Sequence, residues 1–341
     1  MGFSYNMPTR RNPFSGDVLA WEPTAIAESV SMIENMKILI ATEKPFAKKA
    51  VDGIKAIFAE AGYETLLLEK YTDKSQLLAA VADVQGLIVR SDKVTAEVLE
   101  AAAELKIVVR AGAGYDNIDL AAAKAKGVVV MNTPGQNSNA VAELAIGMMI
   151  YMARNRFTAG TGSELQGKTV GIHAYGNVGR LVGRKAKALG MNVVAYDPFI
   201  ADPEAFENDG VKQAASVEEL YAASDYLSLH IPATEQTKKS IGYKLLMSMP
   251  EGATLVNTAR KEVIDEDALK AALTERPTLK YITDIAPDCR DEMESFGNRF
   301  FATPKKMGAE TAEANINAGL AAARQIVDFI ENGNTRFQVN K

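Results

Sequence analysis

Short apolar runs and longer amphipathic stretches alternate along most of the chain. From Met36 onward, apolar runs fall at 37–41, 66–68, 86–90, 107–110 and 128–131. Between them lie stretches such as 46–61 and 95–103, where apolar residues return every three or four positions, the helical period. Strands that alternate with helices read as a parallel sheet covered by helices on both faces. A second series follows at 169–173, 192–196, 226–230, 254–257 and 279–284. Two such series predict an α/β protein of two doubly wound parallel-sheet domains around a cleft.

Two breaks interrupt the pattern. Residues 132–137, Asn-Thr-Pro-Gly-Gln-Asn, are rich in turn formers and precede a long helix expected over 139–155. Residues 301–304 are expected to break the chain again before a last helix over 310–330. If that helix returns to the first sheet, one domain is discontinuous: 36–132 plus 309–341, with the other spanning 133–308. Residues 1–35 show no sustained period, contain Pro8, Pro13 and Pro23, and read as an N-terminal arm. A transit peptide is disfavoured there, because Asp17, Glu22, Glu28 and Glu34 outnumber Arg10 and Arg11.

Composition narrows the chemistry. The 341 residues include 38 basic and 43 acidic side chains, a net charge of −5, which argues against a broad nucleic-acid surface. His173, His230 and Cys289 are the only histidines and cysteine, too few for a zinc site of the usual ligands, so no metal is expected. A lone cysteine forms no internal disulfide and suits a reducing cytoplasm. The longest apolar stretch, 141–152, is broken by Glu143 and Gly147 and falls short of the roughly 20 residues a membrane helix needs, so no membrane partner is expected.

The strand expected at 169–173 runs into Ala174-Tyr175-Gly176-Asn177-Val178-Gly179 and then a helix. This is the dinucleotide fingerprint with alanine in place of its first glycine. Gly176 lets backbone approach a pyrophosphate, Gly179 lets helix and strand pack closely, and the helix N-terminus faces the phosphates. A methyl at Ala174 is compatible with the turn only at negative φ. Asp197 ends the next strand, 18 residues after Gly179, where an acidic residue accepts both ribose hydroxyls and repels a 2′-phosphate. A Rossmann-like domain binding NAD rather than NADP follows.

Arg110 to Asp119 (RAGAGYDNID) follow a first-series strand, and glycines there expose N–H groups suited to a small anion or simply make a tight turn. Arg260 and Asp284 end two second-series strands, and a guanidinium at the cleft suits a carboxylate and a neighbouring carbonyl oxygen. With 132–143, 167–179, 196–198, 228–232 and 255–260, these segments resemble the D-isomer-specific 2-hydroxyacid dehydrogenases in the family's own order. The resemblance runs from about Met36 to about Gly333. It implies a flavodoxin-like substrate domain beside the Rossmann-like one, and a nicotinamide cofactor lined by Tyr175, Asn177, Val178, His230, Ile231, Pro232, Thr258, Ala259 and Asp284. Within the family, LIVRSDKVT (87–95) and RAGAGYDNID look most like the phosphoglycerate dehydrogenases. The chain ends soon after its last helix, so the C-terminal regulatory domains of longer members are not expected.

Two departures bear on mechanism. The family's usual glutamate position holds Cys289, with Asp288 one residue out of register. Its usual histidine position, aligned on Gly308-Ala309 and Glu313-Ala314, holds Lys306, preceded by Lys305. Read without the family, Lys305-Lys306 is a solvated pair at a hinge; with it, Lys306 or Lys305 is the acid/base. An ordinary lysine pKa is about 10.4, so the role requires burial or neighbouring positive charge to lower it. Arg260 is expected to bind the carboxylate and polarise the C2 oxygen.

Arg90 and Arg110 are candidate ligands for substrate phosphate and carboxylate, with Ser91 and Lys93 nearby, although 90–93 also reads as a plain polar loop. Backbone N–H groups of Ala113 and Gly114 suit the carboxylate, and Asn137 the rim. His173 and His230 read as framework or cofactor-lining residues. The segment after 154 is shorter than the basic one that reaches across a dimer in many relatives, yet helix 139–155 still suits a homodimer through the nucleotide domain. The resemblance implies oxidation of 3-phospho-D-glycerate to 3-phosphohydroxypyruvate in serine biosynthesis. Alternatives are a reductase of hydroxypyruvate, glyoxylate or another unphosphorylated acid, and an inactive NAD(H)-sensing protein.

Overall fold

The computed structural model describes residues 36–341; the arm expected at 1–35 lies outside the described residues. Twelve strands form two wholly parallel sheets among them. The first contains β1 (Lys37–Thr42), β2 (Glu64–Glu69), β3 (Gly86–Val89), β4 (Ile107–Arg110) and β5 (Val129–Asn132), in the order β2-β1-β3-β4-β5. That is the flavodoxin-like order. The second contains β6 (Thr169–His173), β7 (Asn192–Tyr196), β8 (Lys212–Gln213), β9 (Tyr226–Leu229), β10 (Thr254–Asn257), β11 (Lys280–Thr283) and β12 (Phe300–Ala302). Its order, β12-β11-β10-β9-β6-β7-β8, is the Rossmann-like one extended by a strand.

The central strands are buried along their whole length, as in β3, β9 and β10. This explains why they read as unbroken apolar runs. Two strands escaped the sequence pattern. Residues 301–304 are not simply a break, because Phe300–Ala302 pairs with β11 as the seventh strand. The two-residue β8 lies at the opposite edge, beside β7.

The last helix, Ala312–Asn332, returns to the first sheet. Its buried face of Ala318, Ala322, Ala323 and Ile326 shares a core with Ile38, Ile40 and Ile88 and with Ile54 and Phe58 of the helix Lys48–Glu60. Glycine brings the two helices together: a β-carbon added at Gly53 would stand 2.6 Å from Leu320 Cδ2. Thr311 opens the last helix by accepting the Ala314 N–H at 3.1 Å. The tail then closes the β5 edge, where Asn340 bonds Val128 and Val130 of the backbone at 2.8 and 3.0 Å. The helix Ser138–Ala153 belongs to the second core. On this basis we propose the two domains as 36–132 plus 309–341 and 133–308.

Candidate active site

The carboxyl end of β6 runs through Ala174-Tyr175 into the helix Asn177–Ala188, with Gly176 as its N-cap. A β-carbon at Gly176 would meet nothing within 4 Å, so the space beside the helix N-terminus is open. At Gly179 it would overlap the Ala174 carbonyl oxygen and lie 2.9 Å from Ile172 Cγ2, so only glycine allows this contact. Ala174 differs from expectation: its φ is +78°, so the turn takes the positive φ that glycine usually supplies, and alanine bears it as strain. Tyr175 also differs. Its ring is fully buried and stacked on Phe206, and its hydroxyl donates to Asp209 at 3.0 Å. Only its backbone belongs to the turn, donating to Asp197 Oδ2 at 2.9 Å.

Asp197 thus stands beside the glycine turn, as its spacing predicts. Asn177 is exposed and Val178 half-buried. Among the other expected lining residues, Ile231, Thr258 and Ala259 are buried, whereas Pro232 is exposed. His230 is half-buried, with Nε2 3.0 Å from Ser228 Oγ. Burial, and secondarily His173, pushes its pKa down to about 3; burial likewise pushes His173 to about 4, against the pull of Asp197. Both are neutral near pH 7, in keeping with lining rather than proton transfer.

The candidate reaction centre is built from strand ends. After β10, Asn257 accepts the Ala259 N–H and donates to the Arg260 carbonyl, both at 2.9 Å, fixing the turn that presents Arg260. After β11, Asp284 accepts the Gly308 N–H at 2.8 Å, while Thr303 Oγ1 donates to the carbonyls of Asp284 and Lys305 at 3.0 and 2.7 Å. These bonds stitch the loop carrying Lys306 onto β11. Asp284 is fully buried, and desolvation raises its pKa, opposed by the Gly308 N–H and Lys306. Its Oδ1 and the Thr258 hydroxyl are buried without partners, so a polar ligand group is wanted here.

Lys306 and Lys305 are both exposed as whole residues, but the Lys306 ammonium lies in the field of Arg260, Asp284, Arg110 and Asp116. Desolvation at that end lowers its pKa first, and Arg260 second, against the pull of Asp284; the solvated stem screens both effects. Lys305 contributes its carbonyl to the loop. Cys289 is elsewhere. It lines a cavity of about 510 Å³ with Lys238, Lys270 and Asp288, which includes none of Arg260, Asp284 or Lys306. Its backbone N–H donates to Glu266 at 3.0 Å, and burial and Glu266 push its thiol up to about 12. Asp288 pairs with Lys261.

From the first sheet, Arg110 reaches the same cluster. Its Nε donates to the Arg90 carbonyl at 3.0 Å, and its guanidinium folds over Gly112 (φ +147°), where any β-carbon would overlap Nη1. A β-carbon at Gly114 would lie 3.4 Å from Arg260 Nη2, so the glycine loop faces the second domain's arginine directly. Ala113 is exposed, its carbonyl held by Asn132 at 2.6 Å. Arg90 is brought near but not freed. Its guanidinium bonds the carbonyls of Lys44 and Pro45 at 3.1 and 3.2 Å and Asn315 Oδ1 at 2.5 Å, and lies over Phe46. Ser91 and Lys93 are exposed, and Asn137 is half-buried as the N-cap of Ser138–Ala153, without a side-chain cap bond.

Sequence reasoning missed Asp92, which accepts the Tyr71 hydroxyl and the Glu43 N–H at 2.7 Å and the Arg90 N–H at 3.2 Å. Its position between two solvent-facing residues, Ser91 and Lys93, gives no sign of burial. Asp116, within the RAGAGYDNID segment, also lies in the field of the Lys306 ammonium.

An open turn at a helix N-terminus and a cationic cluster between two parallel sheets are the arrangement expected of a dinucleotide-binding protein with an anionic substrate. The comparisons are specific. Residues 141–304 match the family described as D-isomer specific 2-hydroxyacid dehydrogenase, NAD binding domain. Hydroxypyruvate reductase of Thermotoga maritima is 38% identical over 283 residues, covering 77% of this chain and 90% of that protein. D-3-phosphoglycerate dehydrogenase of Methanocaldococcus jannaschii is 39% identical over 270 residues, covering 74% of this chain but 51% of that one. The chain therefore spans about half the length of that relative. A crystal structure of NAD+-bound 3-phosphoglycerate dehydrogenase from Entamoeba histolytica is 50% identical, with a TM-score of 0.81 over 90% of this chain and 99% of that one. The chain belongs to the D-isomer specific 2-hydroxyacid dehydrogenase family, and its cofactor is NAD. Membership as an NAD-dependent oxidoreductase replaces the inactive-sensor alternative. No described helix is long and apolar enough to cross a membrane.

Proposed function

We propose that the chain oxidises the C2 hydroxyl of 3-phospho-D-glycerate to 3-phosphohydroxypyruvate, the entry step of serine biosynthesis, in the cytoplasm. The observation that carries this reading is the convergence of Arg110, Arg260 and Lys306. Among the described residues none of the three has a carboxylate within ion-pair distance, although Arg110 and Lys306 each lie in the field of Arg260. Clustered unpaired cations favour a multiply charged anion.

Bound NAD supplies the acceptor for the C2 hydride. Asp197 would accept from the ribose hydroxyls, and Asp284 Oδ1 and the Thr258 hydroxyl, buried without partners, would meet the carboxamide end. Lys306 in its neutral form takes the proton from the C2 hydroxyl. Arg260 holds the carboxylate and stabilises charge growing on the C2 oxygen, while the N–H groups of Ala113 and Gly114 complete the carboxylate seat.

A second reading, a reductase of unphosphorylated hydroxypyruvate, is favoured by two observations: the Thermotoga relative carries that name, and Arg90 is committed to the framework rather than free for a phosphate. Comparing kcat/KM for 3-phosphohydroxypyruvate and hydroxypyruvate decides between them. The proposal expects the phosphorylated compound to be preferred by at least about tenfold, the worth of one charge-assisted contact. Equal or reversed preference installs the second reading. We also propose a homodimer through the nucleotide domain, where Ile150 and the 69% exposed Phe157 leave an apolar surface beside the helix Ser138–Ala153.

A further inference from the structure

Phe199 is 93% exposed, the most exposed of the large apolar side chains among the described residues. A single exposed apolar residue is ordinary on a protein surface. What sets this one apart is how firmly it is held out. Its own N–H donates to Asp197 Oδ1 at 3.0 Å, and the Ile200 N–H closes a turn onto the Asp197 carbonyl at 3.3 Å. Pro198 fixes φ within that turn, and Ile200 packs against the core beneath it. The ring is displayed by a braced turn, on the residue that also binds the carboxylate placed for the cofactor ribose.

The sheet order says what should meet it. Strands β7 and β9 flank β6, and ligands of such sheets lie outside the carboxyl ends where the strand order reverses. The pyrophosphate faces the turn at Gly176, so the adenosine half extends along the ends of β7 and β9, between residues 197–200 and the exposed Pro232. Phe199 is two residues from Asp197, within reach of a base attached to the ribose that Asp197 holds.

We propose that Phe199 stacks on the adenine base of bound NAD and is a binding residue for the adenine half of the cofactor. Removing an aromatic platform from a base weakens binding by roughly tenfold or more. The test is calorimetric titration of the whole protein with NAD+ and with ADP-ribose, which lacks the nicotinamide ring. Phe199→Ala should weaken both ligands by the same factor of about ten. Phe199→Trp, which keeps an aromatic face, should restore the loss, and Phe199→Leu should not. Thermal unfolding without ligand should be the same in all four proteins, because the ring has almost no contacts to lose. Unchanged ADP-ribose binding in Phe199→Ala, a loss confined to NAD+, or full rescue by leucine overturns the proposal. Failure of the unaltered protein to bind either ligand would instead count against the cofactor itself.

Discussion

The ammonium of Lys306 must shed its proton before it can accept one from a substrate hydroxyl. Its pKa lies below the ordinary 10.5 because its tip is desolvated and faces Arg260, so the neutral form gains population at lower pH than in an ordinary lysine. Oxidation should therefore rise with pH and level off once the pH passes that lowered pKa. The reverse reduction, which needs the protonated form, should fall across the same range. With both histidines neutral down to about pH 4, neither adds a limb near neutrality. Lys306→Ala should lose the pH-dependent limb and lower kcat by about 10²–10⁴-fold while NAD+ binding persists. Near-normal kcat with the limb intact would remove Lys306 from this role and return attention to Lys305. Arg260 and Asp284 were legible because each follows a strand, and Lys306 because it stands just before the Gly308-Ala309 landmark of the family. Arg90 was not, since its partners at 44, 45 and 315 are joined to it only by folding. Tyr175 misled for a similar reason, because adjacency to Gly176 does not reveal that its ring turns inward.

At the scale of one element, the turn between β6 and the helix Asn177–Ala188 separates two uses of glycine. Gly179 serves the fold, since its missing β-carbon is what lets the helix lie against the Ala174 carbonyl and Ile172. Gly176 serves the ligand, since nothing in the protein crowds it and its φ of −83° suits any residue. Gly179→Ala should destabilise the unliganded protein by about 1–3 kcal/mol, the usual result of overpacking. Gly176→Ala should leave the urea midpoint nearly unchanged yet weaken NAD+ binding, because its methyl group occupies the approach to the pyrophosphate. Denaturation without ligand, paired with NAD+ titration, separates the two; equal stability losses would refute this division of labour. The pattern reading located this turn from the strand, the glycines and Asp197 together. It could not foresee φ at Ala174, which the surrounding packing imposes. Nor could it see β8 and β12, which have only two and three residues and sit at the sheet edges, too short for a period to register.

Across the whole molecule, the chain leaves the first sheet after β5, builds the second, and comes back as the helix Ala312–Asn332. The two series of strands made two sheets legible, and the apolar face of the last helix marked it as buried. Which sheet it covers was open until the contacts with Ile54 and Ile88 settled it. That return puts Ile326, fully buried and 3.3 Å from where a β-carbon at Gly86 would stand, into the core of the five-stranded sheet alone. If the two domains unfold separately, as the proposed division implies, calorimetry should resolve two transitions. NAD+ should raise only that of the seven-stranded domain, because a ligand stabilises the unit that binds it. Ile326→Ala removes buried methyl groups and should cost about 2–5 kcal/mol, lowering only the other transition. A single transition displaced by both the ligand and the substitution would mean that the domains melt as one cooperative unit, with the last helix coupling cofactor binding to the stability of the substrate side.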